Sequence, residues 1–116
     1  GRNCIGVDIQ PKLVEQIKSK IDSKSNFFEF ISGDSVHEKT FGNIKEVLKK
    51  HKKQAVQLAI LHPPYADIIK FSDKKEDLSN AISLKDFIDK FAKVVKNTLT
   101  ILEHGRYVVV VIGDKY

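Results

Sequence analysis

The chain has 116 residues, 41% hydrophobic and 30% charged, which fits one globular domain or part of one and argues against disorder. Its net charge of +5 favours polyanionic partners but is too small to name one. No apolar run reaches the ~20 residues of a membrane helix, no signal peptide is visible, and the single cysteine, Cys4, closes no internal disulfide, so a reducing cytoplasm is the expected setting.

In chain order, Arg2 to Ile9 reads as a strand, with Cys4, Ile5 and Val7 in a short apolar run that ends in Asp8. Pro11 suits a first helical turn, where its missing N–H costs nothing. Leu13, Val14, Ile17 and Ile21 follow at helical spacing, and Ser23 to Asn26 break that helix. Phe27, Phe28, Phe30 and Ile31 predict a second strand ending at Gly33-Asp34. Ser35-Val36-His37-Glu38 has the form of a capping box. Phe41, Ile44, Val47 and Leu48 then predict an amphipathic helix. The run Lys49-Lys50-His51-Lys52-Lys53 closes it, read as a solvated turn favoured by the helix dipole. Ala55 to Leu61 is almost continuously apolar and predicts a third strand covered on both faces. Ala66 to Ser83 reads as a long loop with a short helical turn, a length that usually signals function. Leu84, Phe87, Ile88, Phe91, Val94, Val95, Leu99 and Leu102 mark a long helix, with Gly105 as its stop. Arg106 to Ile112 predicts a fourth strand.

Alternating strands and helices predict a doubly wound α/β sheet. Ligands of such sheets sit beyond the carboxyl ends of the strands, where Asp8, Asp34 and His62-Pro63-Pro64-Tyr65 are expected to gather. A carboxylate at Asp8 can accept both hydroxyls of a ribose, or can simply favour a helix N-terminus. Asp34 can bind an adenine amino group, or can merely precede the capping box. Two prolines after an apolar strand remove ladder donors and fix the backbone, so their carbonyls point in set directions. Such carbonyls can accept hydrogen bonds from an amine, and the Tyr65 ring can stack on a flat base. The plain alternative is a strand-ending turn with a packed tyrosine.

The order of these pieces resembles the S-adenosylmethionine-dependent amino-methyltransferases, whose reacting-centre motif is Asp, Asn or Ser followed by Pro-Pro-Tyr. His62-Pro63-Pro64-Tyr65 follows Leu58-Ala59-Ile60-Leu61 as that motif follows its strand. Gly1 to Asp8 is similar to the segment after the family's glycine-rich loop, and Ile31-Ser32-Gly33-Asp34-Ser35 to the next cofactor motif. Ala66 to Ser72 is similar to the continuation in bacterial DNA methylases, and Ile101 to Asp114 to the passage that follows. The resemblance covers nearly the whole chain, 1–116, as a partial catalytic domain. Cofactor motifs would lie in 1–35, the reacting-centre loop in 62–83, and the following helix and strand in 84–114.

That resemblance implies an enzyme that transfers methyl from S-adenosylmethionine to the exocyclic amine of adenine or cytosine in DNA, in a restriction-modification or orphan system. It assigns cofactor binding to Asp8, Ile9, Asp34 and Ser35, with Asp8 at the ribose and Asp34 at the adenine, and no metal. The target amine would donate to the Pro63 carbonyl and to residue 62, with transfer direct and in line. A duplex base would be flipped out and stacked on Tyr65. RNA guanine-N2 and protein-glutamine methyltransferases carry related motifs. A non-catalytic nucleic-acid-binding module with the same fold is the reading from another class.

Two departures qualify what is implied. His62 stands where the family has Asp, Asn or Ser, and an imidazole accepts a hydrogen bond only when neutral, so the clue that separates adenine from cytosine targets is lost. The glycine-rich loop and its strand, central in the family sheet, are absent from these residues. The expected fold is therefore a partial Rossmann-like sheet lacking its first strand, with a gap between the strands ending at Asp8 and Leu61. The opening on Gly1 and the lack of methionine fit an excerpt. The missing strand would come from an upstream segment or another protomer, and the isolated chain is expected to be inactive.

Overall fold

The computed structural model describes residues 2–21, 26–64 and 72–113. Pro11 does open a helix, α1 (Pro11–Lys20), which follows strand β1 (Cys4–Asp8) and precedes β2 (Phe28–Ser32). Then come α2 (Glu38–Lys50), β3 (Val56–Leu61), a short 3-10 turn (Leu78–Asn80), α3 (Leu84–Leu99) and β4 (Leu102–Val110). The strands pair in parallel, β1 with β2 and β3 with β4. Parallel neighbours need a crossover, and a helix supplies it in each case. Among the described residues no hydrogen-bonded ladder joins β1 to β3, so the α/β fold holds two strand pairs rather than one sheet.

One apolar cluster spans both pairs. Phe41, Ile44 and Leu48 on α2 are buried with Ile101, and Ile5, Val7, Ile31 and Val56 pack against them. The three α2 residues recur at i, i+3 and i+7, the stripe a helix needs to bury one face. Each such side chain contributes about 1.5–3 kcal/mol when taken from water. On α1 only Val14 of the expected stripe is buried. On α3 the buried positions are Phe87, Val94, Asn97 and Thr98, with Phe91 stacked on Phe87 at 6.1 Å.

Several expectations are corrected. Ser35 does not cap α2, whose N-cap is His37, and no side chain caps it. Asp34 captures the Val36 N–H at 2.8 Å, and this local turn delays the helix. β3 is not covered on both faces, because Leu58 is 47% and Ile60 64% exposed. They pair with Tyr107 and Val109 on β4, also exposed, so this pair presents an open apolar face. Leu84, Ile88 and Leu99, expected in the helix stripe, are exposed too. The helix ends at Leu99, and Leu102 belongs to β4. Gly105 is not the helix stop but lies inside β4 with φ +75°. The register there slips from Val56↔Leu102 to Leu58↔Tyr107, and a bulge of this kind asks for the positive φ that glycine adopts freely. The helix break expected over Ser23 to Asn26 falls largely outside the described residues.

Candidate functional site

The space between the strand pairs is a cavity of about 570 Å³, within the range of small-molecule sites. Its walls include Ile5 and Val7 from β1 and Leu58 and Ile60 from β3, with Phe41, Ile44 and Ile101 also lining it. Asp8, Ile9, Asp34, Ser35, His62, Pro63 and Pro64 line the same cavity. Every expected site residue that is described is thus brought together, at the carboxyl ends of three strands. Tyr65 lies outside the described residues.

Each carboxylate is oriented by its own loop. Asp8 Oδ1 accepts from the Gln10 N–H at 2.8 Å, and the Asp8 carbonyl accepts from the Gly33 N–H at 2.9 Å. That second bond ties the end of β1 to the start of the Asp34 turn. Asp34 is held at three points. Its carboxylate takes the Val36 N–H, its carbonyl takes the Thr40 hydroxyl at 2.6 Å, and the carbonyl also takes the His37 N–H at 3.1 Å. From α3, Asn97 Nδ2 donates to the carbonyls of Ser35 at 3.3 Å and Val36 at 3.0 Å. The turn carrying Asp34 and Ser35 is therefore braced by two helices. Glycine at 33 matters to that brace, since a Cβ there would lie 2.7 Å from Thr40 Oγ1.

The His62-Pro63-Pro64 segment is braced just past the end of β4, where the Val111 N–H donates to the Leu61 carbonyl at 2.8 Å. His62 is exposed, Pro63 buried and Pro64 half-buried. A buried proline fixes the backbone while the exposed imidazole stays accessible to a ligand.

Sequence reasoning placed 72–80 in a long functional loop but singled out none of its residues, of which Glu76, Asp77 and Leu78 line the cavity. Lys74 Nζ donates to the Ile9 carbonyl at 2.9 Å, tying the loop after β3 to the end of β1. Asp77 is the pivot, only 5% exposed. It accepts from Ser72 Oγ at 2.6 Å, Ser79 N–H at 2.8 Å and Ser79 Oγ at 2.7 Å. Burial alone would raise its carboxyl, but the hydrogen bonds from Ser72 and Ser79 prevail and hold it below the usual aspartate range. Asp77-Leu78-Ser79 has the form of an Asx turn, the one signal that would have found it. Asn97 left a fainter trace, a polar residue beside the apolar stripe of α3. Among the described residues no group of three His, Cys, Asp or Glu side chains is arranged to hold a metal ion, and no helix is long and apolar enough to cross a membrane.

No family model, curated protein or solved structure matches the chain.

Proposed function

We propose that this chain is part of an amino-methyltransferase acting on DNA, with the cavity between the strand pairs as its cofactor and reacting-centre region. The observation that carries the reading is the gathering of Asp8, Asp34 and His62-Pro63-Pro64 around one cavity. The gap between β1 and β3 supports it further. It falls where the amino-methyltransferase resemblance expects the absent central strand of a Rossmann-like sheet, to be supplied by an upstream segment or another protomer.

The residues present fit the nucleoside half of S-adenosylmethionine. Two carboxylates follow adjacent parallel strands, and apolar walls lie beside them. Asp8 would accept the ribose hydroxyls and Asp34 the adenine amino group, with Ile9 and Ser35 beside them. S-adenosylmethionine, when bound, supplies the methyl group. The chain's own part is positioning: the Pro63 carbonyl and a neutral His62 accept the hydrogens of the target amine and aim its lone pair. Tyr65 would stack on the base, flipped out if the substrate is a duplex.

The test is transfer of tritiated methyl to duplex DNA, tRNA and release factor by the longest natural protein that contains these residues, beside the 116-residue chain. Label on DNA that is lost in His62→Ala and Tyr65→Ala supports the reading. Label on tRNA or release factor alone refutes the DNA assignment. Label on none of the three, with the fold intact, leaves a non-catalytic module. Transfer by the 116-residue chain itself refutes the expectation that it is incomplete.

A further inference from the structure

In a parallel pair joined by a helix, the helix ends beside the start of the second strand, and the end of α2 reaches the start of β2 through Phe27 and Glu29. This pole of the fold is basic. The last turn of α1 carries Lys18 and Lys20, and the last turn of α2 carries Lys49 and Lys50. Lys52 and Lys53 follow, both exposed. α1 and α2 both pack on β2, and Lys50 and His51 at the end of α2 reach its first residues. The carboxylates that line the cavity, Asp8, Asp34, Glu76 and Asp77, belong to the other end.

The α2 end is a fixed surface rather than a frayed one. His51 stacks on Phe27 with ring centroids 3.8 Å apart. Glu29 on β2 accepts from Lys50 at 2.8 Å and lies 3.1 Å from His51 Nε2. Among the described residues no carboxylate pairs with Lys49, Lys52 or Lys53, whose charges face solvent.

Lys52 adds an independent observation. The Lys53 N–H donates to the Leu48 carbonyl at 2.8 Å and the Lys52 N–H to the Lys49 carbonyl at 3.0 Å. This pair of bonds is the Schellman closure of a helix, which puts the residue at 52 in the left-handed region. Lys52 sits there with φ 56°. Glycine fits that position at least cost, so a lysine there is strained relative to glycine.

We propose that this pole is a docking surface for the phosphate backbone of double-stranded nucleic acid, separate from the cavity at the opposite end. Lysine ammonium groups act as point charges, which suits phosphate contact without base reading. A membrane surface fits less well, because stable attachment takes an apolar insertion beside the basic patch. The apolar face of α2 is buried in the core.

The experiment is fluorescence anisotropy of a labelled 20-base-pair DNA duplex titrated with the 116-residue chain from 50 to 200 mM KCl, with no methyl donor. Its outcome is independent of methyl transfer, so this proposal and the methyltransferase reading fail separately. Each phosphate contact contributes a log–log salt slope of about 0.9. Lys49→Gln/Lys52→Gly/Lys53→Gln should lower the slope by two to three contacts, whereas Lys12→Gln/Lys39→Gln/Lys75→Gln, toward the other pole, should lower it less. Lys52→Gly alone should weaken binding while raising Tm, a combination that a purely structural lysine does not give. The proposal is overturned if the folded wild type does not bind the duplex. It is equally overturned if the second triple variant loses as much as the first, or if phosphatidylserine vesicles are bound in place of the duplex.

Discussion

Replacing Asp77 by alanine removes the acceptor for three hydrogen bonds within a loop that lines the cavity. The Ser72 hydroxyl can rotate toward water, but Ser79 is only 5% exposed and its N–H, held in the 3-10 turn, has no such freedom. An orphaned buried donor costs about 1–3 kcal/mol, and Asp77 is also the N-cap of that turn, a role worth about 1 kcal/mol. The expected loss is about 2–3 kcal/mol, since these two figures overlap. At about 4 °C per kcal/mol for a domain of this size, Tm should fall by about 10 °C in circular dichroism. Asp77→Asn keeps one acceptor oxygen and should fall between. The Asp77 carboxyl is held below the usual aspartate range, so its contribution is present above that range and fades as pH drops through the depressed value. The gap between wild type and Asp77→Ala should therefore close on acidification. Amide exchange at Ser79 and Asn80 separates local from global loosening. Unchanged Tm together with unchanged protection of Ser79 would refute the pivot role.

Three further outcomes follow from the geometry. Gly33→Ala should destabilise by about 1–3 kcal/mol through overpacking, because the new methyl meets the buried Thr40 side chain that holds the Asp34 carbonyl; Thr40→Ala in the same chain should restore part of the loss in urea denaturation, and additive losses would contradict the contact. Lys52→Gly should gain about 1 kcal/mol by relieving the left-handed backbone, read as a higher urea midpoint at unchanged slope. Glu29 is held below the usual glutamate range by its hydrogen bonds to Lys50 and His51, so its stabilisation is present above that range and lost as pH falls through the depressed value. Since Lys50 is largely exposed, Glu29→Gln should cost under about 1 kcal/mol at neutral pH, and a cost that persists unchanged at pH 3 would show that the carboxylate charge is not its source.

What could be read from the sequence was set by short-range physics. Pro11 and the Phe41-Ile44-Leu48 stripe were legible because helix entry and helix period are local properties. The positions of Asp8, Asp34 and His62 at strand ends were legible because apolar runs stop where the chain turns. Competition and context hid the rest. Ser35 matched a capping pattern, yet Asp34 reached the nearby N–H first. Gly105 looked like a helix stop because a bulged strand and a helix end both call for positive φ. The apolar run of β3 reads the same whether one face or two are covered, and only the tertiary arrangement leaves Leu58 and Ile60 open. Asp77 was missed because three hydrogen bonds from two serines within five residues make an ordinary polar loop in sequence and a buried knot in space.

The open face of β3 and β4 bears on how the chain behaves at high concentration. Tyr107 to Ile112 is six residues of high strand propensity without a charge or proline, the composition that stacks into intermolecular ladders. Tyr107, Val109, Val111 and Ile112 are all exposed. Arg106 before the run and Asp114-Lys115 after it are charged gatekeepers, the kind that slows such stacking. Substituting Arg106 by an uncharged residue should shorten the lag of aggregation.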